Sequence, residues 1–274
     1  MPLLLVRHGE RLDYVQSSWL ATAPRPWDPP LTETGLDQAT KAGRAISSLL
    51  REHNLPPVGA AFSSPLTRCV ETSLGILSEA GAECKLRVEP ALVETVCKEW
   101  YHSWGVPGAN AEWGGPPECR VGAVVPEDAL NPSVLRPAGE LLLGASDLAA
   151  ALGTPAEGRL EESYAPYLPR SALTQRWGAE ETKDDTMARL SGFAAHAEAE
   201  HPDTTVLLCT HGGPATYAYR ALSGELDERL KCGYTGIFLM TKDPATGAWR
   251  TLVKASTEHL GDVSDLGFAT AGNS

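Results

Sequence analysis

Two histidines, each preceded by a run of apolar residues and followed by glycine, are the residues in this chain best placed to do chemistry. The first run, Leu3-Leu4-Leu5-Val6, leads into Arg7-His8-Gly9-Glu10-Arg11, and the second, Thr205 to Thr210, leads into His211-Gly212-Gly213-Pro214. Short apolar runs of this kind read as strands buried on both faces, and open α/β sheets bind ligands at the C-terminal edge of such strands. If the two strands are parallel neighbours, the imidazoles of His8 and His211 converge there, and Arg7, Arg11 and Arg68 converge with them. Arginine presents paired donors matched to phosphate oxygens. Three guanidiniums and two imidazoles around one point therefore describe a site for a tetrahedral dianion such as a phosphoryl group. Taken singly, each would be an ordinary solvated residue just past a strand; the repeated strand-His-Gly arrangement is what argues for a site.

Clamping alone makes a binding protein, and catalysis asks for two further roles. A neutral imidazole can attack phosphorus and hold the phosphoryl group as phosphohistidine, which splits one hard displacement into two easier ones. The leaving oxygen then needs a proton from an acid kept protonated near neutral pH by burial or by the phosphate's own charge. Glu94, just past a third short strand in Glu89-Pro90-Ala91-Leu92-Val93-Glu94, lies on the same expected edge; Glu10, Glu89 and Glu99 are alternatives. There is no P-loop pattern and no carboxylate cluster suited to Mg²⁺, so neither a metal nor another cofactor is required.

The elements that must position these residues follow from periodicity. Leu31 to Gly35 opens a helix whose face is Leu36, Ala39, Gly43, Ile46 and Leu50, ending before Pro56-Pro57. Val58 to Phe62 is a second buried strand, and Ser64 followed by Pro65 suits an N-cap and first helical position. That helix puts Arg68 in its first turn, on another face from the core. Lys85 to Val88 is a third strand, so strand and helix alternate as in a mostly parallel α/β sheet flanked by helices. A T-x-x-D start at Thr182 to Asp185 opens a late helix, with Met187, Leu190, Ala194 and Ala197 as its buried stripe. A helix after His211 closes at Gly224, and Tyr234 to Thr241 and Ala248 to Lys254 form a hairpin at the far side of the sheet.

Between about residues 95 and 181 the character changes, with nine of the 21 prolines and ten of the 26 glycines there. One helix, Ala138 to Leu152, is expected in it. We read 1–274 as a single domain with this stretch as a cap insertion across the ligand edge, where Trp100, Tyr101, Trp104 and Trp113 could shape a pocket. Residues 12–30, with Trp19, Trp27 and Asp28-Pro29-Pro30, read as an irregular segment over the same edge.

The chain's totals narrow the partners. A net charge of −12 with no Lys/Arg run argues against nucleic acid, and no 18-residue apolar stretch suits a membrane span. The start lacks the basic region and cleavage site of a signal peptide, so a cytoplasmic location is expected. Cys69, Cys84, Cys97, Cys119, Cys209 and Cys232 form no C-x-x-C and are expected to be buried, reduced thiols. A homodimer is left open.

Arg7-His8-Gly9, the stretch Ser63-Ser64-Pro65-Leu66-Thr67-Arg68-Cys69-Val70-Glu71-Thr72 and the late His211 together resemble the histidine phosphatase superfamily, of phosphoglycerate mutase-like fold. The fuller Arg7-His8-Gly9-Glu10-Arg11 and Val88 to Glu94 resemble the branch of the suppressor of T-cell receptor signalling phosphatases and the insect ecdysteroid phosphatases. This resemblance spans roughly 1–95 and 182–255. It implies that His8 is the nucleophile, Glu94 the general acid, and Arg7, Arg11 and Arg68 the phosphate clamp. His211 would bind phosphate as well and steady the phosphoenzyme. Gly212 stands where the phytase and acid phosphatase branch has its proton-donating Asp, so that branch is not resembled. The ubiquitin-binding and SH3 modules of the signalling members are not expected here. The implied activity is metal-independent hydrolysis of a phosphorylated small molecule or a phosphotyrosine-type substrate. A phosphomutase on the same fold, or a non-catalytic phosphate-binding or scaffolding member, is the alternative.

Overall fold

The computed structural model describes residues 1–16, 18–19, 23, 25, 27–96, 142–174, 181–261 and 267. In chain order its elements are β1 (Leu3–Arg7), α1 (Leu12–Val15), α2 (Glu33–Glu52), β2 (Val58–Ser63), α3 (Thr67–Glu79) and β3 (Leu86–Val88). After a 3₁₀ turn at Pro90–Leu92 come α4 (Ala145–Leu152), α5 (Arg170–Thr174), α6 (Lys183–Glu200), β4 (Thr205–Thr210), α7 (Gly212–Ser223), β5 (Ile237–Lys242) and β6 (Trp249–Ser256). The six strands form one sheet in the order β3-β2-β4-β1-β5-β6. The first four in that order are mutually parallel, while β5 runs antiparallel to β1 and to β6.

The two expected strands are indeed neighbours, with Val6 opposite Cys209 and Arg7 opposite Thr210. Their apolar runs feed two cores, because successive side chains of a strand point to opposite faces. Leu4 and Val6 pack with Ile46, Val70 and Leu77 of α2 and α3 on one face. Leu3 and Leu5 pack with Leu190, Phe193 and Ala218 of α6 and α7 on the other. The four apolar β1 residues, Leu3 to Val6, are fully buried, each worth roughly 1.5–3 kcal/mol over exposure. Central β1 is thereby clamped in one register, and its C-terminal edge with it.

Three local expectations need correction. Leu36 is 47% exposed, because the buried face of α2 passes through Gly35, Gln38, Ala39 and Ala42 instead. Leu66, not Ser64, stands at the N-cap of α3, which starts at Thr67, since the Ser64 hydroxyl has another partner. Helix α4 begins at Ala145 after Gly144, and the Ala138 to Leu141 part of the expected helix lies outside the described residues. The Thr182–Asp185 capping box is present in both directions, and α7 ends on Gly224 in the left-handed region.

The described part of the expected cap insertion packs on the edge of the sheet. Leu86 exchanges backbone hydrogen bonds with Arg159 and Glu161, and Leu148, Ala156 and Leu160 join the core beneath β3. Trp100, Tyr101, Trp104 and Trp113 lie outside the described residues, as do Glu99, Cys97 and Cys119. Cys69, Cys84, Cys209 and Cys232 are free thiols, Cys84 half-buried and the others buried. Among the described residues no helix is long and apolar enough to cross a membrane.

The link from α1 to α2 is strapped to α3. Asp28 accepts from the Thr67 N–H and hydroxyl at 2.6 and 3.0 Å, and Glu71 accepts from the Leu31 N–H at 2.7 Å. Burial, with Asp28 adding repulsion and the Leu31 N–H opposing both, pushes the Glu71 carboxyl up from 4.5 to about 7. The folded state therefore holds this proton more tightly than the unfolded chain. Its stabilising contribution is complete below about pH 4.5 and is lost as pH rises through 7, a change on the order of 3 kcal/mol. Glu71→Gln keeps an acceptor for Leu31 and cannot ionise. It is expected to raise Tm by several degrees at pH 8 and to leave it unchanged near pH 4, as read by thermal melts across pH.

Candidate active site

His8 follows the last residue of β1, and its N–H donates to Thr210 O of β4 at 3.0 Å, so the parallel ladder sets its backbone. Gly9 must follow it: a Cβ there would stand 2.6 Å from the Gly35 carbonyl oxygen. The Gly9 N–H donates to Thr72 Oγ1 at 3.0 Å, tying the turn to α3. The ring of His8 is buried, and its Nδ1 lies 2.7 Å from Gly9 O. A carbonyl only accepts, so Nδ1 carries the proton and the Nε2 lone pair is left for other work.

His211 lies beside it, the ring centroids 5.3 Å apart. Arg68 Nη2 stands 3.3 Å from His211 Nδ1, and Ser64 Oγ stands 2.9 Å from His211 Nε2. Guanidinium only donates, so His211 accepts at Nδ1 and donates at Nε2 to Ser64. This is the bond that takes Ser64 away from the helix cap. Burial above all, then Arg68, holds both imidazoles neutral, well below the usual histidine range; Arg7 and Arg11 push the same way, as does His8 on His211.

The three arginines are held by different means. Arg7, at the end of β1, donates through Nη1 to Cys232 O and Gly267 O, both at 2.9 Å, and its guanidinium lies 4.5 Å from the centre of the Tyr234 ring. Arg11 makes a two-pronged pair with Asp13, at 2.7 and 2.5 Å, and lies over Tyr14. Arg68, in the first turn of α3, is buried and also reaches Trp27 O at 3.5 Å. Arg7 Nε and Arg68 Nε are buried without hydrogen-bond partners among the described residues. Donors left over in a buried cluster of like charges are what an oxyanion would satisfy.

The carboxylates separate cleanly. Glu94 is buried, receives the Thr95 N–H at 2.9 Å, and brings Oε2 to 3.9 Å from His211 Nδ1. Burial raises its pKa above the ordinary carboxylate range even against the Thr95 N–H and the pull of Arg68, Arg7 and Arg11. Glu89, fully buried, accepts from the N–H groups of Ala91, Tyr167 and Leu168 and the Tyr164 hydroxyl. It serves as a clamp on residues 164–168 with its acceptors occupied. Glu10 accepts from the Thr32 hydroxyl at the start of α2. Arg7, His8, Arg11 and Glu94 line one cleft of about 220 Å³, and α7 points its N-terminus into it, adding the positive end of a helix dipole to an anion site.

The sequence of this chain fits the histidine phosphatase superfamily (branch 1) over residues 3–106 and 153–252. That is well over half of its length. The chain belongs to the histidine phosphatase superfamily. Among curated relatives, the ubiquitin-associated and SH3 domain-containing protein A of Mus musculus is 39% identical over 122 residues, covering 34% of this chain and 19% of that protein. The match thus spans under a fifth of that relative's own length. Among solved structures, the ecdysone phosphate phosphatase of Bombyx mori, in complex with tungstate, superposes with a TM-score of 0.60 at 20% identity, over 93% of this chain and 92% of the other. A mycobacterial glucosyl-3-phosphoglycerate phosphatase gives 0.51 at 19% identity, over 92% and 97%. These two likenesses establish the phosphoglycerate mutase-like fold for this histidine phosphatase.

Asp13 and Tyr234 are the site-shaping residues that the sequence did not single out, while Ser64 and Thr72 stood in the Ser63–Thr72 stretch without a role at the site. Asp13 had a signal, in an Arg-x-Asp spacing that allows a two-pronged pair. Ser64 had a misleading one, as a good N-cap type before proline. Tyr234 had none, since it reaches Arg7 only through the pairing of β5 with β1.

Proposed function

We propose that this histidine phosphatase hydrolyses phosphomonoesters through a phosphohistidine on His8, with Glu94 as general acid. The observation that carries the reading is the tautomer of His8: the Nδ1 proton is committed to Gly9 O, which leaves Nε2 as an unprotonated nucleophile. Nε2 attacks phosphorus as the ester P–O bond breaks, and the leaving oxygen takes the Glu94 proton. Water then attacks the phosphohistidine, gives its proton to the Glu94 carboxylate, and orthophosphate departs as the N–P bond breaks. Arg7, Arg11 and Arg68 hold the phosphoryl oxygens and match the charge that develops on them, while His211, engaged by Arg68 and Ser64, steadies the Arg68 guanidinium. Every proton moved is returned within one cycle, and the residues of the chain supply every group in it. The substrate is a phosphorylated small molecule.

The test is the leaving group. Glu94→Gln is expected to slow alkyl phosphates by roughly 10²- to 10⁴-fold, the usual worth of a general acid, and p-nitrophenyl phosphate far less, because p-nitrophenolate leaves without a proton. The same variant should flatten the alkaline fall of kcat, which in the wild type follows the raised pKa of Glu94. Equal losses on both substrates would remove Glu94 from the acid role.

A further inference from the structure

The phosphoryl site occupies only the floor of the cleft. Its wall is one face of α7, on which Gly213, Thr216, Tyr217 and Arg220 recur at three- and four-residue spacing, and its rim carries Lys183 and Lys231. Among the described residues, Glu228 is the one acidic side chain on that rim. Both lysines are exposed, and among the described residues neither joins an ion pair. Arg220 donates through Nη2 to Asp227 O, while its Nε has no partner among the described residues. Three cations against one carboxylate, on a chain of net charge −12, run against the composition of the whole.

We infer that this rim is a second anion site, so that the enzyme prefers phosphomonoesters whose leaving group carries a further carboxylate or phosphate. The inference rests on the phosphatase reading above and names its substrate class. Geometry sets the span. Arg220 lies eight residues along α7 from Gly212, roughly 12 Å at 1.5 Å per residue, and helix side chains lean back towards the N-terminus. The second anion therefore sits on the order of 8–10 Å from phosphorus, the reach of a six-carbon chain. Tyr217 and Leu230 line the stretch between, giving the leaving group an apolar side to lie on.

The experiment compares kcat/KM for glucose 6-phosphate, 6-phosphogluconate and glucose 1,6-bisphosphate, with p-nitrophenyl phosphate alongside. The wild type is expected to favour one or both doubly anionic esters by roughly tenfold, less in about 0.5 M NaCl because rim charges are screened. Preference for 6-phosphogluconate alone identifies a carboxylate, and preference for the bisphosphate alone a phosphate. The double variant Lys183→Glu/Lys231→Glu should abolish or reverse the preference. Equal values for the three sugars in the wild type, or a preference that survives charge reversal, overturn the inference. Absence of p-nitrophenyl phosphate turnover in the wild type would instead sink the phosphatase reading. In that case calorimetric affinities of His8→Ala protein for the same three sugars decide the rim by the same ratio.

Discussion

His8→Ala is expected to lower kcat for p-nitrophenyl phosphate by on the order of 10⁴-fold or more, the scale on which enzymes lose rate with their nucleophile. No neighbour can take over. His211 presents Nδ1 to Arg68 and Nε2 to Ser64, so both of its nitrogens are engaged, and the proposed mechanism uses Glu94 as the acid. The variant loses one local bond, from Nδ1 to Gly9 O, while the backbone bond to Thr210 remains. Its phosphate affinity should stay within a few-fold of the wild type, which separates loss of chemistry from loss of fold. Rapid-quench labelling should find acid-labile phosphate on the wild type and none on the variant. EDTA should change neither result, because the proposed displacement is driven by an imidazole. A variant retaining near wild-type turnover would end the phosphohistidine mechanism.

Arg68→Ala should be nearly as damaging, by a different route. In the proposed mechanism the guanidinium faces the phosphoryl oxygens; its buried Nε has no protein partner among the described residues, and its Nη2 fixes the tautomer of His211. Its loss removes a charge-assisted donor from a dry site, worth roughly 10²–10³ in rate when such a donor acts on developing charge. It also frees His211 to turn or change tautomer. Orthophosphate and vanadate should bind more weakly, and the rise in Tm that phosphate gives the wild type should shrink. Arg68→Lys should recover little, since a single ammonium cannot serve His211 and an oxyanion together in the planar geometry of guanidinium. A variant that binds vanadate as tightly as the wild type would show that Arg68 does not touch the phosphoryl group.

The burial of Arg68 illustrates where sequence reading stops. A polar residue in the first turn of a helix is normally solvated, and nothing local distinguishes this one. It is buried because three elements meet over it: β4 brings His211, the strap at Trp27 covers it, and Cys69 beside it packs under His211. Ser64 shows the same limit from the other side. Its type and its place before Pro65 are those of a cap, and the long-range partner His211, 147 residues away in sequence, outcompetes the local one.

What the sequence determined by itself was the sheet and its edge. Two four-to-six-residue apolar runs read as buried strands with a His-Gly junction at the end of each, and the alternation with amphipathic helices pointed to parallel pairing. Tertiary structure alone decided the chemistry open to each group. Which carboxyl is saturated and which stays available, as with Glu89 and Glu94, depends on whether residues 164–168 come back across the sheet edge. Which histidine nitrogen holds the proton depends on whether a carbonyl or a guanidinium faces it. These are properties of neighbours distant in sequence, and no pattern of residue types encodes them until the chain has closed on itself.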